Sequence, residues 1–114
     1  MTGPDYVPPL NAFYPRVIRY GGDEMPILLS KPEGACLRMA DEICENIANQ
    51  RVPLKNGEFA GTTASIGVAF LDQSLRQLEA EEAAALLEER AGKAVFAAKD
   101  RGRNMVVRWE PGLI

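Results

Sequence analysis

The 114-residue sequence contains no histidine. That removes the usual zinc ligand and the usual general base near neutral pH. It also lacks any excess of positive charge. Thirteen Lys and Arg stand against sixteen Asp and Glu, for a net charge of −3 and a pI near 5.0. A generally basic surface for a nucleic-acid polymer is thereby excluded, although a small local basic site for phosphates is not. Cysteine is scarce: only Cys36 and Cys44 occur. They fall eight residues apart in a segment with helical periodicity, roughly 12 Å between α-carbons, too far for a disulfide. Buried, reduced thiols are expected, and with them a reducing, cytoplasmic location. No apolar run approaches the roughly 20 residues of a membrane span. The N-terminal MTGPDYVPPLNAFYP has no basic flank followed by an apolar core, so it does not read as a signal peptide.

What is present is ordinary for one soluble domain: 46% hydrophobic and 25% charged residues, with no internal repeat. Residues 1–15 carry Pro4, Pro8, Pro9 and Pro15 and read as an extended arm. Arg16–Tyr20 reads as a strand, Gly21-Gly22 as a turn, and Met25–Ser30 as the return strand, with Pro26 suited only to an edge or unpaired position. Ser30-Lys31-Pro32-Glu33 predicts a helix start capped by Ser30. Cys36, Leu37, Ala40, Ile43, Cys44, Ile47 and Ala48 then recur at helical spacing. Asn56-Gly57 predicts a hairpin. Thr62–Phe70 predicts a strand with Ile66, Val68 and Phe70 on one side. Its other side, Ser65, Gly67 and Ala69, is small enough for a helix or ligand to lie close. A second helix is expected from Glu79 to about Lys99, with Leu87, Ala91, Ala94, Val95 and Ala98 as its apolar stripe and Gly102 as its stop. Met105–Trp109 is the last predicted strand. The order predicts an α+β sandwich on a largely antiparallel sheet.

Two groups of residues carry candidate chemistry. In RYGGDEM, residues 19–25, the acids Asp23 and Glu24 sit on a glycine turn between apolar runs. Oxygen-only clusters suit Mg²⁺, and glycines let a ligand approach the backbone. A plain polar turn would use the same residues. Lys99 and Arg103 lie four apart at the end of the last helix, a point charge and a planar fork fit for phosphate. Cations there also favour the helix dipole.

The order RYGGDEM, TTASIGVAF, AGKAVFAAKDRGRNMVV resembles the GGDEF domain family, the diguanylate cyclases, over about residues 16–109. The resemblance implies a nucleotidyl-cyclase-like palm with packed helices. It implies synthesis of cyclic di-GMP and pyrophosphate from two GTP, one held by each of two subunits, with Mg²⁺ or Mn²⁺. Asp23 and Glu24 match the family's catalytic, metal-binding acids. Gly21 and Gly22 match the backbone that receives the nucleotide, and Lys99 and Arg103 match the cations on its phosphates. GTP or cyclic di-GMP and a second copy of the chain are the expected partners.

The match starts late in the family's pattern. An upstream strand with a further metal-binding Asp, a Phe-Lys pair, and a base-binding Asn and Asp has no counterpart in residues 1–15. The chain therefore corresponds to the C-terminal half to two-thirds of the domain: an arm, 1–15, and a partial GGDEF domain, 16–114, without the family's first strand and helices. Met25 replaces the family's Phe, and Ala91-Gly92 its Ala-Asp. Ala12-Phe13-Tyr14-Pro15 stands where the product-inhibition motif would be, so no inhibitory site is expected. The expectation is a GGDEF-type domain inactive by itself. The alternative is a non-enzymatic GGDEF-like module for nucleotide binding or dimerisation.

Overall fold

Gly67 decides how the longest helix packs. The computed structural model describes residues 24–113 and the backbone of Arg16 and Val17. Strand β5 (Ser65–Val68) carries this glycine, and helix α3 (Ala80–Asp100) crosses it. A β-carbon on Gly67 would collide with Ala91 O, Val95 N and the carbonyl carbon of Ala94. The helix backbone thus lies directly on the strand, and its contact residues are correspondingly small. Ala94 and Ala98 are fully buried and Ala97 nearly so, around Val107, with Met105, Trp109 and Leu113 packed against the cluster. The expected small face of the strand is the helix seat.

Strand β6 (Met105–Arg108) pairs with β5 in parallel, Ser65 opposite Met105 through Val68 opposite Arg108. The sequence reading expected a largely antiparallel sheet. The parallel pair arises because α3 is the crossover, and a long crossover returns the chain to run in the same direction. Antiparallel pairing occurs, but in two separate hairpins and not in one sheet with β5 and β6 among the described residues. Strands β1 (Arg16–Val17) and β2 (Ile27–Leu28) pair as Arg16 opposite Leu28 and Val17 opposite Ile27. Strands β3 (Val52–Pro53) and β4 (Phe59–Ala60) pair as Val52 opposite Ala60. Their turn is the Asn-Gly signal, with Gly57 at φ +88° and Glu58 N–H donating to Asn56 Oδ1 at 3.0 Å. Each pairing forms its own two-stranded sheet.

Helix α1 (Glu33–Asn49) begins later than the Ser30 cap implied. Its first bond runs from Cys36 N–H to Pro32 O, so Pro32 and not Ser30 stands at the cap position. The residue before a proline avoids helical backbone, which keeps Lys31 out of the helix. Cys36, Ala40 and Cys44 are buried along the expected stripe, and both cysteines are free thiols. The chain divides into two compact units, Met1–Cys36 and Leu37–Ile114.

The short helix α2 (Gln73–Arg76) is capped by Asp72, which accepts from Leu75 N–H at 3.1 Å and from Ser74 Oγ at 2.6 Å. Arg90 of α3 reaches the same carboxylate at 3.1 Å and lies 4.3 Å above the Trp109 ring. Leu75, 1% exposed, is the largest fully buried side chain among the described residues. The Ser74 hydroxyl, then the Leu75 N–H, then Arg90 hold the Asp72 carboxyl below its ordinary value of 3.8. A depressed carboxylate stabilises the fold above its unfolded pKa, and that contribution is lost as pH falls through the folded value. Thermal melts of the native chain should therefore lose midpoint through the acid range below about pH 4. Asp72→Asn should lose part of that dependence, and an unchanged acid slope would remove Asp72 from it.

Gly92 has nothing within 4 Å of where a β-carbon would sit, and its backbone is not left-handed. An exposed helical glycine costs about 1 kcal/mol relative to alanine. Gly92→Ala should accordingly stabilise the chain by about that amount in chemical denaturation.

Candidate functional site

The end of α3 is built by backbone hydrogen bonds. Arg103 N–H donates to Ala98 O at 2.8 Å and Gly102 N–H to Lys99 O at 3.4 Å, around Gly102 at φ +121°. This pair of bonds is the motif by which a glycine ends a helix. Arg101 N–H also donates to Ala97 O at 2.9 Å. The terminal carbonyls are thus satisfied by main-chain donors, and the charged groups of Lys99 and Arg103 are not needed for capping. Neither side chain takes part in an ion pair among the described residues. Lys99 is half-buried in the last turn and Arg103 is exposed just beyond it. The structure therefore brings the two predicted cations to one helix end and leaves both available to an anion.

Arg103 and Asn104 continue in left-handed backbone, at φ +66° and +52°. That conformation is uncommon outside glycine and best tolerated by Asn and Asp. It turns the chain from the helix end directly into β6. The Asn104 Oδ1 accepts from Cys44 Sγ at 3.7 Å, and Cys44 also reaches Ala64 O at 3.6 Å. Ala64 and Asn104 precede the paired residues Ser65 and Met105. One thiol on α1 thus touches the entrances of both parallel strands. The sequence reading did not single out Asn104. Its signal was the Gly-Arg-Asn run after the helix, where an Asn following a stop glycine is suited to left-handed backbone.

The other predicted group belongs to the β1–β2 hairpin. Beyond its described strands, residues 18–20 of the expected first strand lie outside the described residues. Gly21, Gly22 and Asp23 lie outside the described residues. Glu24 is exposed, makes no ion pair among the described residues, and is followed by a 60% exposed Met25. Pro26 directly precedes β2, the unpaired position expected of it. Among the described residues, no three His, Cys, Asp or Glu form a group able to hold a metal ion. An exposed, unpaired carboxylate such as Glu24 does fit Mg²⁺, which takes one or two protein carboxylates together with substrate phosphates and water.

The family model described as "Diguanylate cyclase, GGDEF domain" matches residues 14–105, and the chain belongs to the GGDEF family. It is 34% identical over 103 residues to Diguanylate cyclase DosC of Escherichia coli K12, covering 85% of this chain and 20% of that protein. The DosC of Shigella sonnei matches to the same extent. Diguanylate cyclase A of Treponema denticola is 32% identical over 89 residues, covering 77% of this chain and 22% of that protein. The chain spans about a fifth of the length of the curated relatives it matches. Among the described residues, no helix is long and apolar enough to cross a membrane.

Proposed function

We propose that this chain is a guanine-nucleotide-binding portion of a diguanylate cyclase palm, able to hold GTP but not to complete cyclic di-GMP synthesis alone. The observation that carries the reading is the end of α3. Its carbonyls are capped by backbone, so Lys99 and Arg103 remain for the phosphates. Gly21 and Gly22 admit the nucleotide close to the hairpin backbone. Asp23 and Glu24 would hold Mg²⁺ or Mn²⁺. A bound divalent cation would supply charge neutralisation at the phosphates and a lowered pKa for the attacking hydroxyl. The protein's own contribution is positioning: Lys99 as a point charge, Arg103 as a fork, and the glycines as a surface without side chains.

Inactivity in isolation follows from what residues 1–15 do not contain, the further metal-binding Asp and the base-binding Asn. Gly92, which faces open space where the family carries Asp, supports the same reading. Residues 1–15, the arm of the sequence reading, lie outside the described residues, and residues 16–114 act as the partial palm, in the cytoplasm and self-associated. A family reaction between two nucleotides, one on each subunit, favours two copies. Calorimetric titration with Mg-GTP and Mg-ATP tests the binding. Saturable GTP binding, reduced by Asp23→Ala, is expected, and absence of any nucleotide binding would reject the proposal.

A further inference from the structure

We propose that Asn104 is a positioning residue for the phosphate site, held by Cys44 and acting through Arg103. The inference rests on the nucleotide binding proposed above and adds the device that aims one of its two cations. Arg103 is exposed and makes no ion pair among the described residues. The direction of its side chain is therefore set by its own backbone. That backbone is left-handed at φ +66°, and Asn104 follows at +52°. Two successive non-glycine residues in this region are uncommon. Such conformers persist only where the surrounding structure over-determines them.

The turn is held on both sides. On the helix side, Arg103 N–H donates to Ala98 O at 2.8 Å. On the strand side, Met105 is fixed in register opposite Ser65. Asn104 stands between them, and its Oδ1 accepts from Cys44 Sγ at 3.7 Å. Cys44 is 8% exposed on α1, so the donor is anchored in a packed helix and not in a loop. The same thiol reaches Ala64 O at 3.6 Å, the carbonyl just before β5. A thiol carries one proton, which the two acceptors share. The open groove beside it, of ≈ 460 Å³, offers no substitute donor. Asp41 and Glu45 wall that groove, and carboxylates accept but do not donate. Ala48, Met105 and Val106 complete it without a side-chain donor.

Asparagine suits the place on two counts. Its short polar side chain tolerates left-handed backbone, and its amide oxygen takes the thiol proton. Alanine would do neither, and glycine only the first. With Asn104 released, Arg103 can return to the ordinary regions at negative φ, about 120° away. That rotation re-aims the guanidinium relative to Lys99. A point charge and a fork grip one anion together only when both are placed before it arrives. The bond from Cys44 to Asn104 thus acts on phosphate without either residue touching it.

Calorimetric titration of the full chain with Mg-GTP at several salt concentrations tests this role. Asn104→Ala should weaken binding about tenfold, as when a supporting hydrogen bond behind a ligand is lost, and should flatten the salt dependence. Cys44→Ala should act in the same direction, and Cys44→Ser, which keeps a donor, should largely restore the native affinity. The two effects should not add. In Asn104→Gly, which keeps the left-handed turn without the acceptor, Cys44→Ala should lower affinity no further. Both effects should vanish in Arg103→Ala, where the guanidinium is already gone. Cys44→Ala and Asn104→Gly decide the matter if Asn104→Ala does not fold. A native chain that binds no nucleotide would overturn both the nucleotide site and this role. Binding that falls in Arg103→Ala but is indifferent to the Asn104 and Cys44 variants would overturn the role and leave the nucleotide site standing. Losses that persist in full in the Arg103→Ala background would also overturn it, and would place Asn104 and Cys44 in the fold alone.

Discussion

Gly67→Ala should unfold or severely loosen the unit built from β5, α3 and β6. The added methyl would have to occupy space held by Ala91 O, Val95 N and the Ala94 carbonyl carbon. These are helix backbone atoms, which cannot swing aside as a side-chain tip would. Overpacking a core commonly costs about 1–3 kcal/mol, and backbone obstruction belongs at or above the top of that range. Against a total stability of about 5–15 kcal/mol, such a loss is a large fraction. Urea denaturation should show a lowered midpoint, or no folded baseline. Gly92→Ala, on an open face of the same helix, serves as the control and should shift the other way. If both glycine variants behaved alike, the direct seating of α3 on β5 would be wrong.

The second large effect concerns ligand and not fold. Lys99→Ala with Arg103→Ala should weaken triphosphate binding by about a hundredfold or more. Each charge-assisted hydrogen bond contributes about 1.5–3 kcal/mol, and both are removed together. The double variant should also flatten the salt dependence of binding. Stability should change by less than about 0.5 kcal/mol, because main-chain donors cap the helix and neither side chain is in an ion pair among the described residues. Unchanged nucleotide affinity with lowered stability would instead assign the two cations to the helix dipole.

Local signals carried much of this architecture. Asn56-Gly57 marks its hairpin because few dipeptides take that turn freely, and Gly57 is indeed left-handed. Gly67 between Ile66 and Val68 marked a place where something approaches closely, and α3 does. The alanine-rich stripe of α3 was legible for the same reason. Other features depend on partners distant in sequence. The four-residue helix α2 is too short to show a period, and Arg90 joins Asp72 and Trp109 only once three elements have packed. Parallel pairing of β5 with β6 is likewise a property of the crossover and not of either strand's composition. In the candidate site, Lys99 and Arg103 were visible as a spaced pair at a helix stop. The role of Asn104 was not, because it rests on left-handed backbone and on a thiol sixty residues earlier.

The most direct test of the central claim is incubation of the full chain with GTP and Mg²⁺, followed by separation of nucleotides recovered from the protein and from solution. GTP should be retained by the protein, with no cyclic di-GMP or pyrophosphate formed. Cyclic di-GMP production that disappears in Asp23→Ala would contradict it, because these 114 residues would then hold a complete catalytic set.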